Sequence, residues 1–135
     1  MAVLIGASLA FAVGVLGTLV GLDRDRAFYP TIMLVIAALY ILFAVMGGST
    51  HALLLETALA TVFLVVTIVG FKYSLWLVAG ALAAHGIQDV FHGEFISNAG
   101  VPVWWPPFCS AYDVVAAGYL SFLLRARNDF RPLKG

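Results

Sequence analysis

The chain has 135 residues, 63% of them hydrophobic and only 10% charged, with a mean hydropathy of +1.04. Soluble domains run at about 45–50% apolar and about 25% charged, so a soluble globular domain is excluded and one all-α integral membrane bundle over 1–135 is expected. The net charge is zero with no basic patch for a nucleic acid, and a single cysteine, Cys109, rules out an intrachain disulfide.

Span 1 covers about 2–21. It lacks the positively charged start of a secretory signal and reads as a span, despite a cleavage-like Ala10-Phe11-Ala12. Gly17 and Gly21 form a small-xxx-small pair that suits close helix packing. The loop carrying Asp23, Arg24, Asp25 and Arg26 reads as a solvated turn. Pro30 fits the first turn of a helix, and span 2 runs over 31–46, short for a crossing. In Gly47-Gly48-Ser49-Thr50, either Ser49 or Thr50 can cap span 3 at 51–71. His51 reads as a surface residue. Lys72-Tyr73-Ser74 leaves room for a hairpin turn only, and span 4 covers 74–92. A connection from Gly93 to Pro106 ends in Trp104 and Trp105, which suit the interfacial aromatic belt. Span 5 covers 107–124, and a polar tail from Arg125 to Gly135 closes the chain.

Five spans put the termini on opposite sides. Arg24, Arg26, Lys72, Arg125, Arg127, Arg131 and Lys134 then all fall on one side, which the positive-inside rule makes cytoplasmic. A four-span arrangement would split them. The N-terminus is expected outside and the C-terminus inside.

The most informative stretch is Ala84 to His92 in span 4. Helical spacing puts His85, Asp89 and His92 on one stripe with Gln88 at its edge, and Trp76, Val90 and Phe91 on the opposite face. Ionisable residues inside a membrane segment are costly and mark a site by default. At 1.5 Å per residue, Asp89, Asp113 and Glu56 each lie roughly 9 Å below the outer surface of a core about 30 Å thick. Tyr40 and Ser8 fall near that level, His92 at its rim, and His85 a turn deeper. Three carboxylates in a dry layer cannot all stay ionised. Either they share protons, which permits acid–base chemistry, or they bind a cation.

His85 and His92 are about 10 Å apart along the axis, too far to share one ion. Asp89 with either histidine, completed by Asp113 or Glu56, is the expected metal set, and its mixed nitrogen and oxygen donors suit a divalent metal such as zinc or iron. Cys109, a turn above Asp113 on the same face, reads as packing with ligation as the alternative. The candidate catalytic residues are Asp89, Asp113, Glu56 and His85, and the candidate ligands His85, Asp89, His92 and Asp113. Tyr40, Gln88, Trp104, Trp105 and Tyr112 are the candidate substrate contacts.

His85-Gly86-x-x-Asp89-x-x-His92, followed by Val101-Pro102-x-Trp104-Trp105-Pro106-x-Phe108-Cys109-x-x-Tyr112-Asp113, resembles the signature of a family of uncharacterised small bacterial multipass membrane proteins. The resemblance covers roughly the last third of the chain, implies the bacterial inner membrane, and carries no mechanism. More loosely, a His-x-x-x-acid step in a five-helix membrane bundle is similar to the emopamil-binding sterol isomerases, which use buried acids to protonate a double bond. Here the step falls on the fourth span rather than an early one.

The leading expectation is a membrane enzyme. Its substrate would be a hydrophobic, lipid or isoprenoid-like small molecule entering between helices, with Asp89 and Asp113 as acid and base and His85 or His92 relaying protons. A proton or metal-cation transporter, and an accessory subunit of a larger complex, are the alternatives. Thr67 is among the few polar groups in the inner half, which argues against a complete ion path. Membrane lipid and a homo-oligomer are the expected partners, with no nucleic acid.

Overall fold

The computed structural model describes residues 1–127; Arg131 and Lys134 of the expected basic tail lie outside them. Among the described residues there are five α-helices and no strand: α1 (Ala2–Val20), α2 (Phe28–Met46), α3 (Thr50–Lys72), α4 (Leu75–Phe95) and α5 (Trp105–Ala126). Four of them, all but α4, are long and apolar enough to cross a membrane. The protein is a multipass membrane protein. α4 falls short by composition because His85, Gln88, Asp89, His92 and Glu94 ride on it, yet it is central: it packs against α5, α3 and α2, while α1 lies on the far side of α5. Its polar stripe points inward, with His85, Asp89 and His92 buried and Glu94 exposed. Trp76, Val90 and Phe91 are exposed on the opposite face, as helical spacing requires.

Apolar side chains cover the outside, among them Leu4, Leu19, Val62, Val90 and Phe122. Such a surface is stable against lipid tails, where backbone groups must be satisfied within each helix. Inside, Met33, Val78, Leu82 and Leu120 are fully buried at the centre.

Of the expected pair, Gly17 does serve close packing, a Cβ there lying 3.1 Å from the Phe28 ring, and two further glycines of α1 do the same. Gly6 lies against the backbone of Phe108, and Gly14 against the Tyr119 ring, where a Cβ would come within 3.0 Å. Gly21 takes no part in packing; it ends α1 in the left-handed conformation at φ 87°, where its N–H bonds the Gly17 carbonyl. α2 begins at Phe28, three residues before the expected start, because the Asp25 carbonyl and carboxylate take the N–H groups of Phe28 and Ala27. With 19 residues it is not short. Ser49 rather than Thr50 caps α3, its Oγ accepting from Ala52 N at 3.1 Å. His51 is exposed.

The loop after α1 is solvated only in part: Arg24 and Asp25 are exposed, but Asp23 and Arg26 are not. Asp23 is fully buried. It accepts hydrogen bonds from Thr18 Oγ1 at 2.5 Å and from the Arg127 guanidinium at 2.9 Å, and Thr18 also contacts Tyr119 Oη at 2.9 Å. Arg26 donates to the Phe71 carbonyl at 2.7 Å and the Gly70 carbonyl at 3.3 Å, which closes the C-terminal end of α3. Loop charges thus serve as internal partners, and they gather the basic ends of α1, α3 and α5 at one end of the bundle.

Candidate functional site

The site is assembled where α4 and α5 approach most closely. Gly86 makes this approach possible: a Cβ there would lie 3.0 Å from the Ser110 carbonyl oxygen and 3.1 Å from Asp113 Cβ. With hydrogen in that place, Asp113 Oδ2 reaches His85 Nδ1 at 2.7 Å. Asp89, one turn along α4, brings Oδ2 to 3.5 Å from the same nitrogen. Cys109, one turn before Asp113, directs its thiol at Asp113 Oδ2 over 3.9 Å. The Phe63 ring meets the His85 ring edge-on at 4.9 Å.

One donor atom from each of His85, Asp89, Cys109 and Asp113 lies within 4.8 Å of the others, and all four residues are buried. This group could hold a metal ion. Neither carboxylate oxygen of Asp89 has a partner at close hydrogen-bonding distance, although the Tyr40 hydroxyl and the Cys109 thiol face it, and Asp113 Oδ1 has no partner. A buried acceptor normally has a partner, and an orphan needs an explanation.

Glu56 and His92 stand apart from that group. Their contact is 2.8 Å, and Asn98 donates to the same Glu56 oxygen at 2.9 Å. The layer of three carboxylates expected from depth alone therefore divides. Asp89 and Asp113 go with His85, and Glu56 goes with His92. The buried Tyr40 ring stands between the two halves, with centroids 5.7 Å from His85 and 4.5 Å from His92. Tyr40 Oη, also buried, makes no close hydrogen bond and faces Asp89.

Among the other expected site residues, Gln88 and Tyr40 line a cavity of about 10 Å³ together with Glu56 and His85, room for about one water. Trp105, half-buried at the start of α5, packs against Phe43 at 5.2 Å and Phe108 at 5.3 Å. Trp104 is exposed, and Tyr112 is half-buried against Phe108. Ser8 is exposed and away from the site.

Sequence reasoning missed Asn98, which also donates to the Tyr40 carbonyl at 3.3 Å and ties the loop before α5 to the Glu56 end. It gave Gly86 no role, although a glycine beside an intramembrane histidine is a signal of close approach. The same loop is pressed onto the α2–α3 turn, where a Cβ on Gly47 would lie 2.6 Å from Gly100 N. Beneath the loop lies a pocket of about 260 Å³ whose wall includes His92 and Asn98.

No family model, curated protein or solved structure matches this chain.

Proposed function

We propose that the protein is a membrane-embedded enzyme of five crossings, its N-terminus outside, whose buried His85, Asp89, Asp113 and Cys109 group acts on a lipid or isoprenoid-like substrate. The observation that carries this reading is Asp89. It is 1% exposed, it faces the Tyr40 hydroxyl and the Cys109 thiol without a close hydrogen bond to either oxygen, and it sits beside a histidine already held by another carboxylate. A carboxylate on one imidazole nitrogen fixes the ring's orientation and tautomer. Asp113 is then the positioning group for His85, and Asp89 is the group open to a reacting atom. As an acid, Asp89 would give its proton to the substrate, and the His85 Nδ1–H held by Asp113 would face the carboxylate left behind and stabilise it until the proton returns.

A divalent metal fits the same residues. Donors around a tetrahedral zinc sit roughly 3.3–3.8 Å apart for bonds of about 2.0–2.3 Å. The His85–Asp89 separation of 3.5 Å and the Cys109–Asp113 separation of 3.9 Å are close to that spacing, whereas the His85–Asp113 separation of 2.7 Å is a hydrogen bond. Nδ1 cannot bond an ion while its hydrogen is donated to Asp113, so an ion held through Nδ1 would replace that hydrogen bond and take His85, Asp89, Cys109 and Asp113 as its four ligands. Zinc or iron suits the mixed nitrogen, oxygen and sulfur donors.

A second reading, a carrier of protons or metal cations, is favoured by the outer pocket with His92 in its wall. The two readings part in one comparison. Protein in nanodiscs is incubated with a bacterial lipid extract, wild type beside Asp89→Ala, and both lipids and bound metal are measured. The enzyme reading expects a lipid converted by wild type only. Identical lipid spectra with Asp89-dependent ion flux in liposomes would move the site to the carrier reading.

A further inference from the structure

The α2–α3 seam is the structural feature outside the His85 group with the most to explain. Its lipid-facing side carries two apolar openings of about 180 and 230 Å³, which meet at Leu34. The second shares Ala37 with the polar cavity on α2 and Ala60 on α3, and that cavity is lined by Tyr40, Glu56, His85 and Gln88. An apolar trough open to the bilayer therefore abuts a buried polar cavity, with two alanines at the junction. The hydroxyl of Thr61 in its wall is already bonded, donating to the Thr57 carbonyl at 2.7 Å. From Ala37 to Ala27 the trough runs about 15 Å along α2, the depth of one leaflet of a core about 30 Å thick.

The cavity has its own preference for a head group. Glu56 lines it, the Asp89 carboxylate lies beside His85, and the Gln88 side-chain oxygen is buried without a partner. Among the described residues, the lysines and arginines all lie in the loop after α1 or at the ends of α3 and α5. The Tyr40 hydroxyl and the Gln88 amide can donate to any head, so the Glu56 charge decides: a phosphate or carboxylate head would meet that like charge with no lysine or arginine to offset it. A donor head would meet partners.

We infer that the α2–α3 seam seats the hydrocarbon chain of a single-chain amphiphile whose head, a hydrogen-bond donor such as a hydroxyl or an amine, enters the cavity between Glu56 and His85. This names the substrate class for the enzyme reading above and rests on it for the word substrate; the binding itself does not depend on turnover. The chain points toward the basic end of the bundle, and the head sits near mid-depth, within reach of His85 and Asp89.

The test is photolabelling of the full chain in nanodiscs with three diazirine probes of equal chain length: a long-chain alcohol, the matching amine and the matching fatty acid. Labelled peptides are mapped by mass spectrometry. The alcohol or the amine should label the facing stretches 34–41 and 57–64 above the other lipid-facing helices, and the acid should label them about tenfold less, as expected for a carboxylate placed beside Glu56 in a dry cavity. Ala60→Leu, at the junction, should remove the preference. Ala38→Leu, on the exposed wall of the trough where a larger side chain cannot disturb the core, should do the same and covers the case in which the first variant fails to fold. Equal labelling by all three heads, labelling spread over every exposed helix, or labelling unchanged in Ala38→Leu would each overturn the inference. Asp89→Ala should leave the labelling in place while abolishing turnover. Loss of the seam pattern with turnover retained defeats this inference alone, and a seam pattern without any lipid turnover defeats the enzyme reading alone.

Discussion

The 2.7 Å contact between His85 Nδ1 and Asp113 Oδ2 exists because position 86 carries no side chain. The atoms that a Cβ would meet there are the Ser110 carbonyl oxygen and Asp113 Cβ, both fixed to the α5 backbone, so neither can swing aside. Helix packing and site geometry therefore depend on the same hydrogen atom.

Gly86→Ala should push α5 away from α4. Overpacking costs about 1–3 kcal/mol, against roughly 0.8–1 kcal/mol gained from alanine's better helix propensity. The net effect expected is a lower melting temperature in detergent. Gly80→Ala is the matched control, since a Cβ at Gly80 meets nothing within 4 Å. It should melt at or above the wild-type temperature. Two variants that melt alike would remove the close approach from the account of the site.

Much of this architecture is legible in the sequence because apolar runs and helical spacing are local signals. The inward stripe of α4 follows from residues 85, 89 and 92 alone. The division of the acids does not. Depth places Glu56, Asp89 and Asp113 in one layer, but which neighbour each meets depends on the rotation of α3 and α5 about their axes, and a bulky Tyr40 between the halves decides it. The Asp23 pairing is hidden for a related reason: its partner Arg127 lies 104 residues away, and a charged loop by itself looks solvated.

The loop before α5 is held by Asn98, which bonds Glu56 and the Tyr40 carbonyl and also accepts from Gly100 N at 3.2 Å. Asn98→Ala removes these bonds at a cost of about 0.5–1.5 kcal/mol each, more where a charged acceptor is left buried. Limited proteolysis within 96–104 should accelerate by about tenfold, the ratio that 1.4 kcal/mol of local opening gives. Any metal bound by the His85 group should be retained, because Asn98 touches none of its ligands in the hydrogen bonds found. Loss of that metal in Asn98→Ala would mean that the two halves form one site.

Arg127→Ala should expose the role of the basic end. It leaves the Asp23 carboxylate, fully buried, with Thr18 but without its ion-pair partner. Breaking a buried pair from one side costs about 3–5 kcal/mol, and the figure here should fall below that range because Arg127 is itself 23% exposed. Asp23→Asn with Arg127→Ala should recover part of the loss, since no uncompensated charge remains. A double variant that melts below both single variants would contradict the pairing.

Orientation is tested independently of the site. Arg26 reaches the last carbonyls of α3, and Arg127 reaches Asp23 after α1, so the C-terminal ends of α1, α3 and α5 share one end of the bundle. The basic residues placed in the structure are Arg24, Arg26, Lys72, Arg125 and Arg127, and all sit at that end. The opposite end carries the 96–104 loop with no lysine or arginine. Juxtamembrane basic residues are retained on the cytoplasmic side. A reporter fused after Gly135 should be cytoplasmic, and a cysteine placed at Asn98 should react with an impermeant maleimide from outside in a Cys109→Ala background. The buried Cys109 gives no competing signal in that background. Labelling of position 98 only after the cells are opened would reverse the orientation and place the His85 group in the inner half of the bilayer.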